Sequence, residues 1–128
     1  MDGRELSAYR SVDCVGIKPE RLMMVGLESL QTTLSKAMAA IDGANGSEKA
    51  RLLAKAGTVV EFMLGLTNIA PGELSERLAK LYRFVLRGIA RGNVADDKEA
   101  VAGALHVIDD LAKFWRGRFP GAVSATPH

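Results

Sequence analysis

An apolar seam with helical spacing recurs four times along this chain of 128 residues, and turn-forming residues follow each copy. In the last copy, apolar residues follow each other at steps of 3, 4, 3 and 4, namely Val101, Ala104, Ile108, Leu111 and Trp115. An α-helix completes a turn in about 3.6 residues, so this spacing places all five side chains on one stripe. Because four such stripes must be buried against one another, the sequence predicts a helical bundle.

The seams and the residues between them predict where each helix begins and ends. We expect helices over 19–43, 47–68, 73–91 and 97–116, with residues 1–18 as a mobile arm and 120–128 as a disordered tail. Residues suited to these bounds are Pro19 at the first start, Ser47 as an N-cap, Gly92 and Asn93 as a stop, and Asp96 or Asp97 as the last N-cap. The short connections predict one all-α domain, an antiparallel up-down-up-down four-helix bundle.

Composition excludes several classes of protein. Apolar residues make up 48% and charged residues 25% of the chain, a balance typical of a soluble globular domain. Cys14 is the only cysteine, so no intrachain disulfide can form. No stretch approaches the ~18 consecutive apolar residues of a membrane span, and the N-terminal segment lacks the apolar core of a signal peptide. We therefore expect a cytoplasmic protein that does not insert into a membrane.

The side chains that catalysis would use are not arranged for it. The two histidines, His106 and His128, do not follow a glutamate by three residues, as the metal-binding pairs of di-metal bundles do. Asp109 and Asp110 are adjacent and so point in different directions, and Cys14 follows an aspartate, which disfavours a reactive thiolate. The glycines form no phosphate-binding loop. We expect no enzymatic activity, no metal and no cofactor.

Apolar residues exceed what the four seams need. The first helix adds residues such as Leu22 and Met24 beside its seam, and the third adds Tyr82, Phe84 and Leu86. Since a four-helix bundle encloses no helix completely, this excess either widens the core or forms exposed grooves for an amphipathic helix of a partner. Broad apolar faces also permit two copies to associate as a homodimer when no partner is bound.

Several segments match one pattern in order and in spacing. They are Ala8-Tyr9, Pro19 to Met24, Leu53 to Ala56, Gly72 to Val85, Asn93 with Asp96 or Asp97, and Leu111 with Trp115. Together they resemble the flagellin export chaperones of the FliS family, and the run from Gly72 to Val85 is the most specific part. The first helix departs from the family pattern, because Leu27-Glu28-Ser29 stands where tyrosine-aspartate-glycine is usual.

The resemblance implies a cytoplasmic chaperone that binds the disordered C-terminal segment of flagellin in surface grooves. Such a chaperone prevents premature polymerisation and delivers its client to the flagellar type III export gate, without a cofactor. The residues it implies for partner binding are Tyr9, Leu22, Met24, Leu78, Leu81, Tyr82, Val85 and Ile89. We expect Tyr82 to keep one edge in water, as a phenol prefers, and Trp115 to close one end of the bundle.

A basic stripe on the third helix supports an alternative function. Lys80, Arg83, Arg87 and Arg91 follow each other at steps of 3, 4 and 4, and Arg77 extends the stripe. A nucleic-acid-binding or general protein-interaction module would use such a stripe. However, we expect no aromatic residue to interleave it, and cations near a helix C-terminus are favoured by the helix dipole. We expect a solvated face and no nucleic acid.

Overall fold

The computed structural model describes residues 18–119. Within that range the chain forms four α-helices: α1 (Pro19–Asp42), α2 (Gly46–Gly65), α3 (Gly72–Ala95) and α4 (Lys98–Arg118), with a short 3-10 helix (Thr67–Ile69) between α2 and α3. No strand occurs in residues 18–119, which confirms the predicted all-α class. The predicted arm, up to residue 17, and the predicted tail lie outside the described residues.

The helices pack in a ring, in which α1 and α3 each lie between α2 and α4. At one end of the bundle, Lys98 Nζ lies 2.7 Å from Asp42 Oδ2, which joins the start of α4 to the end of α1. At the other end, Trp115 Nε1 donates to Glu20 O over 2.7 Å. Helices α1 and α4 therefore run in opposite directions, with Trp115 buried where α4 ends and α1 begins.

Local capping explains where α2 and α4 begin. The Asn45 side chain accepts a hydrogen bond from the Glu48 backbone N–H over 3.2 Å and caps α2. The prediction of Ser47 as the cap was wrong, because α2 begins earlier and the Ser47 hydroxyl lies against Asn45 instead. At α4 the Asp97 side chain accepts from the Ala100 N–H, which confirms one of the two predicted caps.

The third helix continues past the predicted stop at Gly92 and Asn93 and ends at Ala95. Asp96 then adopts a left-handed conformation with φ of 51°. Gly92 is buried, and a Cβ at this position would collide with a methyl group of Val101 on α4. The glycine therefore permits close packing of α3 on α4 and does not terminate the helix.

Lys49 ties α2 to the end of α3. Its side chain is only 11% exposed, and its ammonium donates to the Asn93 carbonyl oxygen over 2.9 Å and pairs with the Asp96 carboxylate. A carbonyl and a carboxylate are the partners that a nearly buried ammonium requires, since an unpaired buried charge is strongly unfavourable. This contact holds the corner between α3 and α4 against α2.

Apolar residues of all four helices form one core. The largest fully buried side chains are Trp115, Tyr82, Met23, Met24, Leu27, Leu30, Leu34, Leu53, Met63, Leu66, Leu78 and Ile108. Every buried polar side-chain atom among the described residues has a hydrogen-bond partner. The core lies between the helices, so any site for another molecule is on the outside, where neighbouring helices leave a gap.

Candidate partner-binding groove

A groove of about 300 Å³ lies between α3 and α4, near the start of α3 and the end of α4. Its lining residues are Leu74, Arg77, Leu78, Leu81, Val107, Asp110, Leu111 and Phe114. Leucines 74, 78 and 81 are spaced by 4 and 3 residues, as are residues 107, 111 and 114, so on each helix the three apolar side chains lie on one side. The groove therefore suits the apolar side chains of a partner better than a polar small molecule.

Large apolar side chains are exposed along the same groove. Leu81 is 37% exposed, Phe114 is 42% exposed, and Phe84 is 43% exposed one turn beyond Leu81. The Phe84 ring lies over α4 at Gly103, where an added Cβ would be 4.0 Å from the ring. We call the surface formed by residues 74, 78, 81 and 84 of α3 and 107, 111 and 114 of α4 the α3–α4 groove. Contiguous apolar exposure of this kind marks an interaction site.

Arg77 lines the α3 side of this groove, and further cations follow it along the exposed face of α3. Arg77, Lys80, Phe84, Arg87 and Arg91 follow each other at steps of 3, 4, 3 and 4, and all five are exposed. The Arg87 guanidinium carbon lies 5.9 Å from the centre of the Phe84 ring, within range of a cation–π interaction. The expectation that no aromatic residue interleaves the basic stripe was therefore wrong. Phe84 belongs to both the apolar groove and its basic border.

The α4 side of the groove differs in charge. Asp110 lines the groove, and its carboxylate lies 3.4 Å from His106 Nε2 on the outer face of α4. His106 is exposed and is a surface residue. No group of histidine, cysteine, aspartate and glutamate side chains in residues 18–119 is arranged to hold a metal ion. None of the helices in this range is both long and apolar enough to span a membrane.

The structure places the predicted partner-binding residues in three different environments. Leu81 is exposed in the α3–α4 groove, and Leu78 forms its buried floor. Leu22 is partly buried on α1 and does not line this groove. The residues that lie in the core are Met24, Tyr82, Val85 and Ile89. Tyr9 lies outside the described residues.

Tyr82 was expected to keep one edge in water, and this was wrong. The side chain is fully buried, and its hydroxyl donates to Met23 Sδ over 3.0 Å. Burial raises the pKa of the Tyr82 phenol far above its ordinary value of 10.0. The thioether sulfur of Met23 accepts the hydrogen bond from the hydroxyl that water was expected to accept. Because the side chain is buried, a client cannot reach Tyr82 while the bundle is folded.

Sequence reasoning missed the residues on the α4 side of the groove. Val107, Leu111 and Phe114 are spaced as an apolar stripe, but only Leu111 was assigned to the seam. Phe114 stands next to Trp115, and one of these two large aromatic side chains must face away from the core. The spacing therefore carried a signal for a second stripe, although it did not indicate which helix lies beside it.

These features define a class: a helical bundle with an apolar groove on its surface. The family model for the flagellar protein FliS matches residues 3–121, and the chain belongs to the FliS family. The flagellar secretion chaperone FliS of Salmonella typhimurium (strain LT2) is 23% identical to it over 123 residues, which cover 91% of each chain. The family is one of chaperones and not of enzymes, so the predicted resemblance and the predicted lack of catalysis are both confirmed.

Proposed function

We propose that this protein is a cytoplasmic chaperone that binds the disordered C-terminal segment of flagellin in the α3–α4 groove. The observation that carries the proposal is the exposure of Leu81, Phe84 and Phe114 along one groove of a chaperone-family bundle. Binding prevents premature polymerisation of flagellin, and the chaperone then delivers its client to the flagellar type III export gate. No cofactor takes part.

The spacing of the groove residues suits a helical client. An amphipathic helix places its apolar side chains at steps of 3 and 4, which is also the spacing along α3 and α4 at the groove. A disordered segment that folds as it binds buries on the order of 1,000–3,000 Å² and loses about 2–5 kcal/mol to ordering. The complex is therefore held by a broad apolar contact but remains reversible, as release at an export gate requires.

We assign different roles to the predicted contact residues. Leu81 contacts the client directly, together with Phe114, and Leu78 forms the floor beneath them. The buried residues of α3, Tyr82 and Val85, support the groove from inside the bundle. Leu22, which does not line this groove, and Tyr9 remain proposed contacts. When no client is present, the same apolar surface permits two copies of the chain to associate.

Calorimetry with the full chain and flagellin tests the proposal. We expect binding to intact flagellin and none to flagellin that lacks its C-terminal segment. Leu81→Ala and Phe114→Ala should each weaken binding about tenfold or more, as loss of a central apolar anchor does. Val25→Ala is the matched control, because Val25 is also 42% exposed but lies on α1. Equal affinity of the truncated flagellin, or equal losses from all three variants, would contradict the proposal.

A further inference from the structure

We propose that the helix bound in the α3–α4 groove carries carboxylates along the side that faces α3, and that the cations of α3 select its orientation. This inference rests on the proposed function for the location of the bound helix, and it adds the charge pattern that the helix must have. The partner is thereby defined chemically, as an amphipathic helix with one acidic flank.

The basic border of the groove is not neutralised by the protein itself. Among residues 18–119, Arg77, Lys80 and Arg87 form no ion pair, and all three are exposed. Arg91 pairs with Asp97 over 3.3 Å and is compensated in part. From Arg77 to Arg91 the border extends about 21 Å, at 1.5 Å per residue. That length equals four turns of a bound helix.

The opposite side of the groove presents a carboxylate. Asp110 of α4 lines the groove, and its side chain is 63% exposed. Its partner in the protein is His106, on the outer face of α4. A bound helix therefore meets cations on its α3 side and a carboxylate on its α4 side. Reversing such a helix end for end would exchange its flanks and place like charges opposite each other, which is unfavourable.

The spacing of the border favours a helix as the bound element. The border repeats at steps of 3, 4, 3 and 4, with Phe84 in the middle, and carboxylates at the same steps on a second helix would lie opposite the cations. Charges that flank an apolar seam select partner and orientation in coiled coils by the same geometry. The Arg87 guanidinium already lies over the Phe84 ring of the groove.

Designed peptides test the inference independently of flagellin. Three helical peptides share one apolar seam. The first carries glutamates on both flanks of the seam, the second carries lysines on both flanks, and the third carries glutamates on one flank and lysines on the other. In calorimetry with the full chain at low salt, we expect the glutamate peptide to bind about tenfold more tightly than the lysine peptide. The ratio should shrink toward one at high salt, because surface charges are screened.

Charge reversal on α3 should remove this preference. The double variant Lys80→Glu with Arg87→Glu should bind the lysine peptide at least as well as the glutamate peptide. The matched control, Lys36→Glu with Lys55→Glu, changes the net charge equally but alters exposed residues of α1 and α2, and it should keep the preference of the wild type. Thermal melts of both variants check that the bundle remains folded.

Orientation is tested by carbodiimide coupling, which joins a carboxylate directly to a nearby lysine amine. In the peptide with one flank of each charge, glutamates should couple to Lys80. Lys80→Arg keeps the charge but cannot be coupled in this way, so the cross-link should disappear while the affinity stays the same. Cross-links to Lys113 of α4 in place of Lys80 would overturn the assigned orientation.

The outcomes separate this inference from the proposed function. Preference for glutamate peptides without any binding of flagellin would support the charged border and reject the client. If flagellin binds the wild type and the charge-reversed variant equally well, and the chain binds all peptides alike, the inference is overturned. Flagellin then remains the proposed client. If no peptide binds, or if duplex DNA binds at ~150 mM salt and Lys80→Glu with Arg87→Glu abolishes that binding, the inference is also overturned.

Discussion

The hydroxyl of Tyr82 donates a hydrogen bond to Sδ of Met23 across the centre of the bundle, over 3.0 Å. The bond joins α3 to α1, which lie diagonally in the ring of helices, and both side chains are fully buried. A tyrosine that the family resemblance assigned to partner binding is therefore part of the core. Its role is to hold the inner wall of α3 in place, while the outer face of α3 carries the groove.

Tyr82→Phe should change the free energy of unfolding by no more than about 1 kcal/mol, because a thioether is a weak acceptor and the ring is retained. Affinity for the flagellin segment should stay the same, since the hydroxyl does not reach the surface. Denaturant unfolding and calorimetry measure the two quantities. For Leu81→Ala we expect the reverse, namely weaker binding of the flagellin segment and little change in the free energy of unfolding. A large loss of affinity in Tyr82→Phe would show that Tyr82 becomes exposed when the client binds.

The pKa of Tyr82 predicts how stability depends on alkaline pH. Burial raises the pKa of this phenol in the folded state above its ordinary value of 10.0. Above that pH the unfolded chain loses the proton while the folded chain keeps it, so the unfolded state is favoured as pH rises. The contribution is complete below pH 10 and is lost as pH rises through the folded-state pKa.

Unfolding measurements between about pH 8 and 11 therefore distinguish the wild type from Tyr82→Phe. The wild type should lose stability more steeply above pH 10, because the variant lacks the titrating phenol while all other groups are unchanged. Parallel pH profiles for the two proteins would contradict the raised pKa.

Gly88→Ala should destabilise the bundle by about 1–3 kcal/mol, as overpacking of a close contact does. A Cβ at position 88 would lie 2.7 Å from the backbone oxygen of Ala100 and 3.1 Å from the Ala104 Cβ. Backbone atoms of α4 cannot move aside as a flexible side chain can, so α3 and α4 must separate. Thermal unfolding measures the effect.

Gly57→Ala is the matched control, because nothing lies within 4 Å of a Cβ at that position in α2. This substitution should raise the free energy of unfolding by about 0.5–1 kcal/mol, since alanine favours the helix more than glycine does. Equal effects at the two glycines would refute the close approach of α3 and α4 at Gly88.

Lys49→Met should lower the free energy of unfolding by about 1–3 kcal/mol, because it leaves the Asn93 carbonyl oxygen and the Asp96 carboxylate without their cation. Methionine retains most of the apolar stem, so the loss reports on the ammonium. Lys55→Met provides the comparison, since Lys55 is exposed on the same helix and forms no ion pair within residues 18–119. Similar stabilities of the two variants would argue against the buried contact.

Local sequence signals sufficed to predict the helices. The steps of 3 and 4 place each seam on one face regardless of its neighbours, and Pro19 and Asp97 act on their own first turns. The same kind of signal failed at Gly92, where a glycine followed by asparagine resembles a helix stop. A glycine is needed at position 92 because the Val101 side chain of α4 lies against it, and the two are close only in the folded bundle.

The sequence left open whether the surplus apolar residues widen the core or form a groove, and it did not show which helices form that groove. Tyr82 and Phe84 are two positions apart on α3. Both were assigned to the apolar residues that exceed what the seam of this helix needs. In the bundle, Tyr82 faces Met23 and is buried, whereas Phe84 lies over Gly103 and remains 43% exposed. The steps of 4 and 3 from Leu78 through Tyr82 to Val85 do place Tyr82 on the buried stripe, but they do not show whether a neighbouring helix covers Phe84.

The sequence by itself determined four amphipathic helices, a bundle, and membership of a chaperone family, because periodicity and motif order are properties of the chain alone. Only the tertiary structure decided which apolar side chains line the α3–α4 groove and which cations border it. The physical reason is that exposure depends on the neighbouring helix. A side chain is buried only where that helix supplies atoms to cover it.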